Sequence, residues 1–261
     1  MDKNFGGFNL DFMRHGPKKE VEEKEINLED SRLTEEQKIK WKKAMNDLDF
    51  EKVELSYEAL PAIEEKAKEI FEALPEKSLL VFLSTDYPRN KMTAELLMNE
   101  LMDLAQKTAK DIRVSSFLET PEEKQNPESF GSNLRGNMMP LIEEELREKD
   151  SQDEELIEKY FIHGGNLTIP GEDELVKTVA NKDLARGENS YLRKRGKLFR
   201  KQYEELKKDF SNEKIPVFFF GVTHHSAIIA LDAEFNDRNE YKTADEIPKP
   251  LSLWRAQDKK E

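Results

Sequence analysis

The chain has 261 residues, 36% hydrophobic and 37% charged, with a formal net charge of −13 and no cysteine. That length accommodates one large α/β domain or two small ones. The acidity argues against a general nucleic-acid binder, which needs a basic face to displace counterions, and against docking on anionic membranes.

Without cysteine there are no disulfides and no thiolate-ligated zinc. Met1–Leu10 lacks an apolar h-region, and no run reaches the ~18 apolar residues of a bilayer span. A soluble, cytoplasmic protein is expected.

Phe8, Leu10 and Phe12 alternate with Asn9 and Asp11, the period-two pattern of a strand, which runs into Arg14-His15-Gly16. Lys18–Asp30 is mostly charged and reads as a solvated loop. Thr34–Leu48 reads as a helix, with Thr34 as N-cap and Gln37 completing a capping box. A second helix is expected over Leu60–Leu74, with Pro61 in its first turn and Ile63, Ala67, Ile70, Phe71 and Leu74 on one face.

Ser78–Leu83 is a nearly continuous apolar run, as expected of a strand buried on both faces of a parallel sheet. Pro88 is placed to open the next helix, which is expected to run to about Lys110. Ile112–Leu118 predicts a third strand, and Thr120–Gly136 a long loop. Short helices are expected at Leu141–Lys149 and Glu154–Phe161, a loop at His163–Gly171, and helices at Glu172–Ala180 and Tyr191–Asp209. Pro216–Val222 is the second continuous apolar run, with a helix behind it at Ser226–Phe235. Asn236–Glu261 is polar, carries Pro248 and Pro250, and predicts little regular structure and no clear final strand.

Helices alternating with buried strands predict an α/β three-layer sandwich, with a mostly parallel sheet and helices on both faces. One domain is expected over 1–261, with 120–209 as a cap or insertion. Ligands of such sheets sit beyond the carboxyl ends of the strands. Arg14, His15, Arg89, Glu119 and His224 all fall just past a predicted strand.

The chemistry of these residues suits a phosphate. His15, with an ordinary pKa of about 6.5, is largely neutral near pH 7 and can attack phosphorus through one ring nitrogen. The other nitrogen needs an acceptor, such as a backbone carbonyl, to hold the tautomer. Gly16 lets the backbone approach closely. Arg14 and Arg89 can grip phosphoryl oxygens bidentately, and the helix opened by Pro88 adds its positive end to that field. Taken singly, each has a plainer reading: a structural histidine, or a surface arginine in a first helical turn.

Three strings together resemble the histidine phosphatase superfamily, which includes the cofactor-dependent phosphoglycerate mutases. They are Arg14-His15-Gly16; Leu83-Ser84-Thr85-Asp86-Tyr87-Pro88-Arg89-Asn90-Lys91-Met92-Thr93-Ala94; and Gly221-Val222-Thr223-His224-His225. The second is similar to the superfamily's strand-end Ser-Ser-x-x-x-Arg followed by Thr-Ala. The resemblance implies a histidine phosphatase-like fold, with His15 as nucleophile and His224 as a catalytic and phosphate-contacting second histidine. Arg14, Gly16 and Arg89 complete the phosphate site it implies.

The resemblance also implies a carboxylic acid that protonates the leaving oxygen; in Phe117-Leu118-Glu119, Glu119 fits in place and kind, with Glu122 and Glu123 as rivals. Raising such an acid's pKa requires burial or a neighbouring charge.

Pro17, Lys18 and Lys19 stand where the mutase branch has a small hydroxyl residue and then Asn, which favours a phosphatase. His225 replaces a frequent glycine, and Gln37 replaces the glycine of a Leu-Thr-Glu-x-Gly segment. The expected activity is a metal-independent phosphomonoesterase using a phosphohistidine intermediate, with no cofactor and no metal. Its substrate is a small phosphorylated metabolite or a phosphoprotein.

Three alternatives stay open: a phosphomutase, a non-catalytic binder of a phosphorylated ligand or partner, and a metal site built from His163, His224 and His225. The basic run Arg193, Lys194, Arg195, Lys197 and Arg200 reads as a solvated helix face, or less often as a receiver of anionic substrate. Oligomeric state is not legible.

Overall fold

The computed structural model describes residues 8–16, 35, 38–39, 55, 59–84, 88–117, 138, 141–142, 144–145 and 171–256. Their core is a five-stranded sheet. In chain order its strands are β1 (Phe8–Arg14), β2 (Lys77–Ser84), β3 (Asp111–Phe117), β4 (Val217–Thr223) and β5 (Leu253–Arg255), in the spatial order β3-β2-β4-β1-β5. The first four run parallel, and β5 closes the β1 edge antiparallel. Among the helices are α1 (Ala59–Ala73), α2 (Pro88–Gln106), α3 (Glu172–Leu184), α4 (Tyr191–Asp209) and α5 (His225–Phe235).

The two apolar runs become the central strands because both of their faces are covered. On one face Leu80, Phe82, Phe220, Val222 and Met13 pack against α1 and α2 through Leu60, Ile63, Ala67, Met92 and Leu97. On the other, Leu79, Val81, Leu83, Val217 and Phe219 pack with Leu10 and Phe12 against α4 and α5 through Phe199, Tyr203, Ile228 and Leu231. Successive strand residues point to opposite faces, so these strands must be apolar at nearly every position. Each such side chain taken out of water contributes about 1.5–3 kcal/mol.

Helix α5 lies between the sheet and α3, and Ile229, Ala230 and Ala233 on its far side join Val176, Val179 and Ala180 of α3. That position explains why α5 is apolar nearly all round. The mostly parallel α/β sandwich with helices on both faces is the architecture expected from the sequence.

Two glycines set close approaches. Gly221 is paired with Phe12 across β4 and β1, and a Cβ at Gly221 would lie 1.9 Å from the Phe12 ring. A Cβ at Gly196 in α4 would lie 2.4 Å from the carbonyl oxygen of Ala230 in α5.

Several boundaries differ from expectation. Helix α2 stops at Gln106, and Lys110 sends its amine back to the C-terminal end of α1, donating to the carbonyls of Phe71 at 2.6 Å and Leu74 at 2.8 Å. Helix α3 continues to Leu184. The largest difference is in the tail, where Ala244–Glu246 forms a 3-10 turn and Leu253–Arg255 forms β5. Short segments of this kind carry little periodicity, and this one is organised by what it meets.

Of the expected helix Thr34–Leu48, Glu35, Lys38 and Ile39 are helical, and the remainder lies outside the described residues. Leu141, Ile142, Glu144 and Glu145 are helical within the expected Leu141–Lys149. Glu154–Phe161 and the loop Thr120–Gly136 lie outside the described residues. Among the described residues, no helix is long and apolar enough to cross a membrane.

Candidate active site

Because β1, β2, β3 and β4 are parallel, their C-terminal ends share one edge of the sheet. Arg14 is level with Thr223, Ser84 with Val222, and Phe117 with Leu83. The backbone N–H of His15 extends the β1–β4 pairing by donating to Thr223 O at 2.9 Å. His15 therefore begins where the strand ends, and His224 follows directly after β4 as the N-cap of α5. Arg89 is the second residue of α2, beyond β2.

These residues meet. The rings of His15 and His224 are 5.1 Å apart at 71°, an edge-to-face arrangement. A nitrogen of the Arg89 guanidinium, Nη2, lies 3.4 Å from His224 Nδ1. A guanidinium only donates, so this His224 nitrogen accepts, which leaves Nε2 of the neutral ring as the protonated one. Arg14, His15 and Arg89 are all buried.

His15 is wholly buried, and its Nδ1 lies 2.7 Å from the carbonyl of its neighbour Gly16. A carbonyl only accepts, so Nδ1 carries the proton and Nε2 presents a lone pair. Among the described residues, Nε2 has no hydrogen-bond partner. Burial holds the His15 pKa well below its ordinary value, and the nearby charges of Arg89 and Arg14 push it the same way; the Gly16 hydrogen bond opposes them. The ring is thus a neutral base with a defined tautomer, surrounded by cationic groups.

Gly16 is tied down from α2. Its N–H donates to Thr93 Oγ1 at 3.1 Å, and that hydroxyl donates to the carbonyl of Arg89 at 2.7 Å. Thr93 therefore links the Arg14-His15-Gly16 turn to the first turn of α2. A Cβ on Gly16 would come within 3.2 Å of Leu55 and 3.4 Å of Ala59, so the backbone there is packed as well as held.

The tail holds the other side of the turn. Arg14 Nη1 donates to the carbonyl of Pro248 at 2.6 Å and lies 3.7 Å from an Asp173 carboxylate oxygen. The N–H of Leu251 donates to Arg14 O at 3.1 Å, and Arg14 N–H donates to Ser252 O at 3.3 Å. Thr93 lies inside a string already singled out by sequence. Pro248 and Asp173 carry no such signal, since one acts through a backbone carbonyl and the other is one acid among many.

Glu119, its rivals Glu122 and Glu123, and His163 lie outside the described residues. Among the described residues, no group of three or more His, Cys, Asp or Glu is arranged to hold a metal ion.

Compared with protein-family models and with curated proteins, the sequence finds no match. Among solved structures, phosphoglycerate mutase from Bacillus anthracis str. Sterne is similar at 9% identity and a TM-score of 0.42, covering 95% of this chain and 86% of that one. So distant a likeness says nothing of activity, and what the site can do rests on its own geometry.

Four of the five cations of the basic run on α4 have local partners. Arg193 donates to the carbonyl of Ala233 at 3.3 Å, Arg195 to the Tyr191 hydroxyl at 2.6 Å, Lys197 to Glu188 at 2.5 Å and Arg200 to Glu234 at 2.6 Å. Ala233 and Glu234 lie on α5, so Arg193 and Arg200 bind α4 to its neighbour.

Proposed function

We propose that this chain is a metal-independent phosphomonoesterase of the histidine phosphatase superfamily, working through a phosphohistidine on His15. The observation that carries the reading is His15 Nε2: buried, unprotonated, without a partner among the described residues, and ringed by Arg14, Arg89 and His224. A buried polar atom without a partner is costly unless something else meets it. An electrophilic phosphorus flanked by anionic oxygens matches the lone pair and the surrounding cations together.

In the proposed reaction the Nε2 lone pair attacks phosphorus in line, and the bond to the leaving oxygen breaks. Arg14, Arg89 and the Nε2–H of His224 stabilise the charge on the non-bridging oxygens. Gly16 fixes the His15 tautomer through its carbonyl. Glu119 donates a proton to the departing alkoxide. The resulting carboxylate then takes a proton from water, which attacks phosphorus, breaks the N–P bond and releases inorganic phosphate. The substrate class is a small phosphorylated metabolite or a phosphoprotein.

The test is a phosphatase screen over a panel of phosphorylated metabolites and phosphopeptides, with and without a chelator. Activity is expected to survive exhaustive chelation and to vanish in His15→Ala. Acid-labile, base-stable phosphoryl label is expected on His15 during turnover of an aryl phosphate. Label on a serine or aspartate, or loss of activity under EDTA with rescue by zinc or manganese, would overturn the mechanism.

A further inference from the structure

Arg14 shares its surroundings with a carboxylate that a phosphate has to contend with. Asp173, in the first turn of α3, has one oxygen 3.7 Å from Arg14 Nη1. Its other oxygen lies 2.7 Å from Lys249 Nζ. The ammonium group is therefore the closer partner by a full hydrogen-bond step, while the guanidinium stands just beyond hydrogen-bonding reach. Lys249 is itself steadied by the carbonyl of Ala244 at 3.3 Å and by Asp245 at 3.7 Å. Pro248, the residue before it, supplies the carbonyl that Arg14 donates to at 2.6 Å.

A carboxylate and a phosphate are competing ligands for the same guanidinium, and they repel each other. Arg14 is buried, which strengthens both effects. A carboxylate this near the guanidinium, with nothing drawing it away, would close on it and exclude the phosphate.

We infer that Lys249 is a positioning residue for the phosphate site: it holds the Asp173 carboxylate off Arg14 and neutralises it, so that Arg14 can take a phosphoryl group. The tail segment thus has two actions on one side chain. Pro248 fixes where the guanidinium sits, and Lys249 restrains its competitor. This inference rests on reading Arg14 as a phosphate ligand.

The test is equilibrium binding of inorganic phosphate to the full chain, by titration calorimetry and as competitive inhibition, with thermal melts as a check on folding. Lys249→Met is expected to weaken phosphate binding by roughly tenfold or more, the weight of one charge-assisted hydrogen bond. Lys249→Arg is expected to stay near wild type. Asp173→Asn should bind phosphate at least as tightly as wild type, and Lys249→Met combined with Asp173→Asn should return to the wild-type level, because the competitor is then gone.

If the double variant stays as weak as Lys249→Met, then Lys249 grips the phosphate itself and the inference fails. An unchanged Lys249→Met overturns it as well. Wild-type protein that binds no phosphate overturns both this inference and the phosphate site. The expected binding pattern in a protein that hydrolyses nothing leaves the inference standing and removes only the catalytic reading.

Discussion

His15 is where charge and position meet. Its folded pKa is held well below the ordinary value of about 6.5, first by burial and then by the charges of Arg89 and Arg14. Attack on phosphorus needs the neutral ring, so the acid limb of kcat/KM should fall well below pH 6.5. Arg89→Met removes one positive neighbour and should move that limb upward while lowering the rate; pH–rate profiles of both proteins would show it. A wild-type limb at about 6.5 would mean that His15 is not the group being read.

The same shift acts on stability. Above about pH 6.5 His15 is neutral folded or unfolded and adds no pH dependence. As pH falls below that, the unfolded chain takes up a proton that the folded ring refuses. Stability then drops by up to about 1.4 kcal/mol per pH unit until the folded pKa is reached. Glu119 belongs to this scale too. If it protonates the leaving group, Glu119→Gln should slow alkyl phosphates by roughly 10²–10⁴-fold and nitrophenyl phosphate much less. Equal slowing of both, or of neither, passes the role to Glu122 or Glu123.

At the scale of elements, the sheet is built so that β4 can sit beside β1. Gly221 makes that possible, since the Phe12 ring occupies the space a side chain would need. Phe12 in turn meets Phe199 edge-on at 5.2 Å and Trp254 of β5 at 6.2 Å. Gly221→Ala should therefore destabilise by about 3 kcal/mol or more, at or above the upper end of ordinary overpacking. Phe12→Leu in the same chain should recover part of it, as read by urea denaturation. No recovery would mean that the strain falls on the backbone instead of the ring.

Helix α4 has its own anchor. Buried Asp183 accepts from Ser190 Oγ at 2.6 Å and from the N–H groups of Tyr191 at 3.1 Å and Leu192 at 2.9 Å, so the end of α3 caps the start of α4.

Across the whole molecule, one carboxylate gathers the tail. Asp232 of α5 accepts from Arg238 Nε at 2.9 Å, the Tyr241 hydroxyl at 3.1 Å, Asn236 Nδ2 at 2.7 Å and Trp254 Nε1 at 3.0 Å. Burial and the Asp232 charge together raise the Tyr241 pKa, so its hydroxyl stays a donor. Through these bonds residues 236–256 are drawn back over α5 to β1, where Pro248 and Leu251 reach the Arg14-His15 turn. Asp232→Ala leaves the buried Tyr241 hydroxyl without its acceptor and takes one from three part-buried donors, and should cost about 3 kcal/mol. That corresponds to a Tm loss of roughly 10 °C. Asp245→Ala, at an exposed carboxylate, should change little. Similar melting temperatures for the two variants would remove Asp232 as the organiser of the tail.

The strands and helices around the sheet were legible because burial on both faces leaves its mark in composition: Ser78–Leu83 and Pro216–Val222 have no other economical reading. Arg14, His15 and Gly16 were legible because they follow the alternating stretch Phe8–Phe12, and Arg89 and His224 because they follow the two apolar runs; parallel pairing brings these strand ends to one edge. The sequence does not show which His15 nitrogen is the base, since that depends on the Gly16 carbonyl 2.7 Å away. Nor does it show that Thr93 ties the turn to α2, or that Pro248, Asp173 and Lys249 surround Arg14. The reason is physical. Burial is a property of a stretch and leaves a periodic trace, whereas a contact between Arg14 and a carbonyl 234 residues away leaves none. Only the folded chain decides which polar groups meet.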